Sequence, residues 1–141
     1  MKFDDIVKLY ESSPRYYTKR QEYRKVYYKD PKRKIIHRED GPAIEWDDGG
    51  KEWFVDSHRH REDGPAIEFA SGDKYWFKHG KCHREDGPAI VYARGDSYWF
   101  LNDQILSPEE VKEHKKKLAI KNEIQGHKNN RIDPGMLEDY L

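Results

Sequence analysis

The chain has 141 residues, about one domain, which is long enough to bury a real core. Charged residues make up 38%, yet aromatics reach 13%, with ten Tyr and four Trp, and disordered chains generally lack aromatics. The 27 basic and 27 acidic residues cancel, which argues against a broad phosphate-tracking surface or a polybasic membrane patch, and the single Cys82 excludes an internal disulfide framework.

In chain order, the opening residues carry no long apolar stretch, so neither a signal peptide nor a membrane span is expected, and a reducing cytoplasm suits the lone cysteine. Phe3, Ile6, Val7 and Tyr10 have helical spacing and Ser13-Pro14 ends that element, so residues 1–22 are expected to form an N-terminal helical segment. Tyr23 to Lys29 reads as a degenerate strand that caps the sheet at its start. Across residues 15–34, Lys and Arg interleave with Tyr. Such runs can stack on bases and track phosphates, which makes Arg20, Arg24 and Lys25 candidate nucleic-acid contacts.

From His37 a 23-residue period takes over. The octamer HREDGPAI occurs unchanged at His37 to Ile44, His60 to Ile67 and His83 to Ile90 (60 − 37 = 83 − 60 = 23). Gly49, Gly72 and Gly95 keep the same step, as do Trp53-Phe54, Trp76-Phe77 and Trp99-Phe100. Each unit reads as a β-hairpin: a short strand from Ala-Ile, a turn containing Gly, and a second strand ending in Trp-Phe. Asp40, Asp63 and Asp86 can cap the following backbone, Gly41, Gly64 and Gly87 can take positive φ, and the Pro after each Gly starts a strand without needing a ladder donor. If Trp46 stands opposite Lys51, then Ile44, Trp46 and Trp53 share one face. The other face then carries Phe54, Tyr75, Phe77, Tyr98 and Phe100, which with His79 are the candidate interaction surface.

After the last unit, Ser107-Pro108-Glu109-Glu110 combines an N-cap, Pro at the first helical position and a capping-box Glu. A helix is expected to roughly Lys121, with Val111, His114, Lys115 and Leu118 on one side, and Asp133-Pro134 opens a last short turn. The fold class expected is mainly β. It is an antiparallel meander of three hairpin units over residues 23–106, flanked by an N-terminal helix and a C-terminal helical segment over 107–141, all in a single domain.

The stretch His79-Gly80-Lys81-Cys82-His83-Arg84-Glu85-Asp86-Gly87, leading to Gly95 and Tyr98-Trp99, resembles the MORN repeat. It is more similar still to HRxDGPA-type repeats of bacteriophage and large-virus proteins, in which a terminal Trp-x-x-Asn-Gly-like segment also runs into a Glu-rich helix. The likeness covers about Tyr27 to Glu113. It implies a meander of hairpins, a phage origin, and a scaffold or interaction surface in the host cytoplasm. The residue after His is Arg rather than the Gly usual in MORN repeats, and no basic stripe supports lipid binding.

The tempting chemistry is the cluster itself: His37, Arg38, Asp40 and their counterparts His60, Arg61, Asp63 and His83, Arg84, Asp86. Residues kept the same in every unit serve what every unit must do, so these read as structural, with His packed near a Trp and Arg paired with a carboxylate or stacked on a ring. No catalytic set, metal or cofactor is expected: His58, His60, His79, His83 and Cys82 form no CxxC or HExxH spacing. Arg94-Gly95-Asp96 aligns with the other hairpin turns. Function is expected where units differ, at Asp47/Ala70/Ala93, Asp56/His79/Asn102, His58/Lys81/Gln104 and Arg59/Cys82/Ile105. The reading is a non-enzymatic module that binds another protein, a host factor. Two alternatives stay open: a nucleotide or small-molecule binder or hydrolase at the unit junctions, and nucleic-acid binding through the basic run. No membrane partner is expected, and open sheet edges would allow a homodimer.

Overall fold

The computed structural model describes residues 16–129. The expected N-terminal helix before Tyr16 and the turn at Asp133-Pro134 lie outside the described residues. Within the segment 1–22, Tyr17–Gln21 is not helical: it forms strand β1, paired antiparallel with β2 (Arg24–Tyr28). The alternation of cations and tyrosines suits a half-covered ribbon, and two residues, Glu22 and Tyr23, suffice to close it.

The first unit continues with β3 (Ile44–Trp46) and β4 (Lys51–Glu52). The chain then leaves this sheet after Trp53 and makes a second, smaller hairpin from β5 (Phe54–Val55) and β6 (His58–Arg59). The pattern recurs as β7 (Ile67–Glu68) and β8 (Lys74–Tyr75) with β9 (Phe77–Lys78) and β10 (Lys81–Cys82). It recurs again as β11 (Ile90–Val91) and β12 (Ser97–Tyr98) with β13 (Phe100–Leu101) and β14 (Gln104–Ile105). Among the described residues, eight strands form one antiparallel sheet in the order β1-β2-β3-β4-β7-β8-β11-β12, and the three small hairpins stand apart as two-stranded ribbons.

Each 23-residue unit therefore holds two hairpins where one was expected. The overlooked turns are Asp56-Ser57, His79-Gly80 and Asn102-Asp103. Both residues of each pair have positive φ, the signature of the two-residue turns that match strand twist. The first hairpin's turn holds Gly49, Gly72 and Gly95 at φ 95, 95 and 110, as a turn glycine must be.

The register slips by one from the expected pairing. The loop is closed by the Trp46 amide donating to the Gly50 carbonyl and the Gly49 amide to the Trp46 carbonyl, so Glu45, not Trp46, faces Lys51. A one-residue slip moves side chains to the other face. One face aligns Val26, Ile44, Glu52, Ile67, Tyr75, Ile90 and Tyr98 as successive cross-strand neighbours. The other aligns Lys25, Glu45, Lys51, Glu68, Lys74, Val91 and Ser97. By strand alternation Trp53 sides with this second row and not with Ile44.

The core sits at the N-terminal end of the sheet, where Val26, Tyr28, Ala43, Ile44 and Phe54 cluster and Ile36 and Trp46 pack against them. Phe54, expected on the interaction surface, is buried there because the ribbon folds it back onto the sheet. Burial falls along the array: Ile44 and Ile67 are buried and Ile90 only half-buried.

A second compact unit begins at Leu106. Its helix α1 spans Pro108–Asn129 and opens with a reciprocal capping box, Ser107 Oγ accepting from the Glu110 amide and Glu110 Oε1 from the Ser107 amide, both at 3.2 Å. It runs eight residues past the expected end (129 − 121 = 8). Glu123, Gln125 and Lys128 favour helix in this stretch, Gly126 alone is too weak a breaker, and His127 and Lys128 complement the dipole of the last turn. No helix among the described residues is long and apolar enough to cross a membrane.

Candidate functional site

Three copies of one polar arrangement line the sheet. Each begins with a histidine, buried at His37 and His60 and half-buried at His83. Nδ1 of His37, His60 and His83 accepts the backbone N–H of Asp56, His79 and Asn102, at 3.0, 2.9 and 3.0 Å. These amides belong to the first residue of each positive-φ turn, so the imidazole holds the small ribbon's turn in place. An accepting Nδ1 puts the ring proton on Nε2, which faces Glu39 at 3.3 Å, Glu62 at 2.6 Å and Glu85 at 3.7 Å. Glu62 also pairs with Lys78 at 2.8 Å, and Lys78 first, then His60, hold its carboxyl below the usual range.

The arginine next in line reaches back to the preceding strands. The guanidinium carbons of Arg38, Arg61 and Arg84 lie 4.0, 3.8 and 4.1 Å from the ring centres of Tyr27, Trp53 and Trp76. Nε of each donates to the aspartate two residues on, Asp40, Asp63 and Asp86, at 2.8 to 3.0 Å. One NH group donates to the carbonyl of Pro42, Pro65 and Pro88. Asp40, Asp63 and Asp86 thus pair with arginine where a turn-capping role was expected. Gly41, Gly64 and Gly87 are not among the positive-φ residues either. They are glycine because a Cβ would meet the arginine Cζ at 3.0, 3.0 and 2.7 Å. His, Arg, Glu and Asp are all occupied in holding ribbon to sheet and unit to unit, which leaves no idle acid–base pair.

The ring row on the opposite face is the more open feature. Phe69 and Tyr75 meet edge-to-face at 5.4 Å, Tyr75 and Tyr92 at 6.1 Å, and Tyr92 and Tyr98 at 6.1 Å. Phe69 and Tyr98 are 47% and 41% exposed, so the row ends in solvent at both sides. Hydrogen bonding with Tyr92, and then burial, pushes the Tyr75 phenol up to about 12. In the first unit the equivalent positions hold Trp46 and Glu52, locked together with Arg59: the Trp46 indole donates to Glu52 at 2.9 Å and Arg59 pairs with Glu52 at 3.2 Å. The aromatic row therefore exists only in the later units.

Of the expected interaction residues, Tyr75 and Tyr98 belong to this row, while Phe77 and Phe100 are half-buried in the ribbons. His79 is exposed in its turn, its ring 4.2 Å from that of His60. Phe69 and Tyr92 share a face with Ile67 and Ile90 in either register; they were missed because the assumed register put Tyr75 and Tyr98 on the other face. The signal was in the turn: the three-residue Asp-Asp-Gly and Ala-Ser-Gly loops set the pairing one position away.

The basic candidates do not converge. Arg20 stands opposite Lys25, whereas Arg24, one residue before Lys25, points to the other face and lies 5.2 Å from the Trp46 ring. Arg20 is paired with Asp47 at 2.6 Å and Arg24 with Gln21. Burial pushes the Cys82 thiol up to about 11, assisted by Asp103, so it is protonated at neutral pH. No group of three or more His, Cys, Asp or Glu among the described residues is placed to hold a metal ion.

A groove of about 1060 Å³ runs between the second and third units. Its walls include Glu62, Asp63, Trp76, Lys78, Arg84 and Asp86. Comparison with protein-family models, curated proteins and solved structures returned no match.

Proposed function

We propose that this chain is a non-enzymatic protein-interaction module, with the 23-residue units as scaffold and the later units as contact surface. The observation that carries this reading is the aromatic row Phe69, Tyr75, Tyr92 and Tyr98. Tyrosine and phenylalanine pinned by edge-to-face contacts offer large area with little rotamer entropy left to lose, which is what protein interfaces favour. The His-Arg-Glu-Asp clusters are engaged in structure and favour no reaction. The resemblance to HRxDGPA-type phage repeats makes a host protein in the bacterial cytoplasm, a defence component among the candidates, the partner to test. β12 lies at the end of the strand order, and a homodimer through that edge would show in sedimentation equilibrium.

The test is crosslinked affinity capture from bacterial lysate at low and high salt, with the tagged chain and a Phe69→Ser/Tyr98→Ser double variant. One stoichiometric protein that survives high salt and is lost with the variant is the expected result. An empty eluate, or equal retention by the variant, would overturn the reading. The groove between the second and third units favours a second reading, a nucleotide or small-molecule binder. A thermal-shift panel tests it, since ligand at a hundredfold excess over Kd adds about 2.7 kcal/mol. Nucleic-acid binding through Arg20, Arg24 and Lys25 is the weaker reading because their side chains divide between two faces.

A further inference from the structure

The three arginine sites are nearly superimposable in chemistry, and one of them is incomplete. Arg38 NH1 donates to Glu45 at 3.1 Å and Arg61 NH1 to Glu68 at 3.2 Å, in addition to the aspartate, the proline carbonyl and the aromatic ring. The position seven residues after Arg84 is Val91. Arg84 keeps Asp86, the Pro88 carbonyl and Trp76 but has no counterpart of the glutamate. Its side chain is correspondingly more open, 26% exposed against 19% and 20% for Arg38 and Arg61.

The neighbourhood changes in step. Lys51 stands opposite Glu45 on one side and Glu68 on the other, which gives a ladder of alternating charge. Lys74 stands opposite Glu68 on one side but Val91 on the other, so its second carboxylate is missing too. Two cations thus face one place where the fold twice puts a carboxylate and the third time leaves a short apolar side chain. Arg84 and Trp76 both line the groove between the second and third units, which makes the guanidinium reachable from outside.

We infer that the Arg84 site takes a carboxylate from outside: a glutamate or aspartate side chain of the bound protein occupies the place that Glu45 and Glu68 fill in the other units. This rests on the interaction reading above and adds a contact on the face opposite the aromatic row. The internal pairs show the geometry of the bound state, with a charge-assisted bond to a guanidinium already held by a ring and an aspartate. A nucleic-acid backbone fits less well, because Glu62, Asp63, Glu85 and Asp86 line the same groove and would repel a run of phosphates.

The experiment uses the full chain and two small probes, acetyl-Gly-Glu-Gly-amide and its Gln counterpart, titrated at low salt and followed by proton–nitrogen correlation spectra of arginine Nε–H and tryptophan indole groups. Arg38 and Arg61 serve as internal controls. The Glu peptide is expected to shift the Arg84 and Trp76 signals while leaving Arg38 and Arg61 in place, and the Gln peptide to do neither. Val91→Glu, which copies the other units, should weaken the response about tenfold or more, whereas Val91→Gln should leave it. Equal responses to both peptides, an undiminished response in a folded Val91→Glu, or a stronger response to inorganic phosphate would each overturn the assignment. A null here with protein capture intact sinks only the carboxylate contact. Loss of capture in the Phe69→Ser/Tyr98→Ser variant concerns the other face and is read separately.

Discussion

His60 has both ring nitrogens engaged, Nδ1 with the His79 amide and Nε2 with Glu62, and its side chain is 9% exposed. His60→Phe keeps a flat ring but leaves a turn amide without its acceptor, which costs about 1–3 kcal/mol. Chemical denaturation should show this loss, and a smaller one for His83→Phe, whose ring is more exposed and sits 3.7 Å from its glutamate. Glycine acts at this scale for two distinct reasons. At Gly87 a Cβ meets the Arg84 guanidinium at 2.7 Å, so Gly87→Ala should cost about 1–3 kcal/mol by forcing the arginine off Trp76. At Gly49 there is open space but φ is 95, so Gly49→Ala should cost about 1–2 kcal/mol in backbone strain alone. A double-mutant cycle with Arg84→Ala separates them: the Gly87→Ala penalty shrinks in that background and the Gly49→Ala penalty does not.

Among the elements, the loop between β2 and β3 depends on Asp30. Its carboxylate accepts from the Ile35 amide at 2.8 Å and the Lys34 amide at 3.0 Å, and the Ile35 bond, ahead of the opposing desolvation, holds its pKa below the usual 3.8. A depressed carboxyl stabilises above its unfolded value and loses that contribution as pH falls through the folded one. Asp30→Asn should therefore flatten the decline of melting temperature between roughly pH 5 and pH 2, and a variant as acid-sensitive as the parent would refute it. Helix α1 has a polar surface with Ile120 and Ile124 exposed, so its stability leans on local terms. Ser107→Ala removes the capping box and should cost about 1 kcal/mol, seen as reduced helical circular dichroism with the sheet's aromatic signals unchanged. The helix start was legible because capping is local, whereas its end was misjudged because no strong stop signal precedes Asn129.

Across the sheet, burial decreases from the first unit to the third. Phe54 lies in the core, while Phe77 and Phe100 are half-buried, and Ile90 is less covered than Ile44. Arrays of this kind open from their weakest end, so amides of β11 to β14 should exchange faster than those of β2 to β4 under native conditions. Uniform protection across the units would contradict this gradient. The less buried units also carry the aromatic row on one face and the incomplete arginine site on the other, which fits units that are completed by binding.

The mainly β class, the antiparallel meander and the C-terminal helix start came from the sequence alone, because each rests on local chemistry: period, turn glycines and a capping box. Identity in every unit pointed His37, Arg38, Asp40 and their counterparts to a shared duty, but the bonds from turn amide to histidine and from arginine to aspartate came only from the structure. Tertiary structure decided what distant pairing controls. The strand register turned on the hydrogen bonds that close the Asp47-Asp48-Gly49 loop, and it brought Tyr75 and Tyr98 to the face that Phe69 and Tyr92 share with Ile67 and Ile90. The glycine of Asp-Gly-Pro owes its identity to a guanidinium stacked on the preceding unit's ring, and the incomplete site at Arg84 emerges only when the cross-strand partners of Val91 are known.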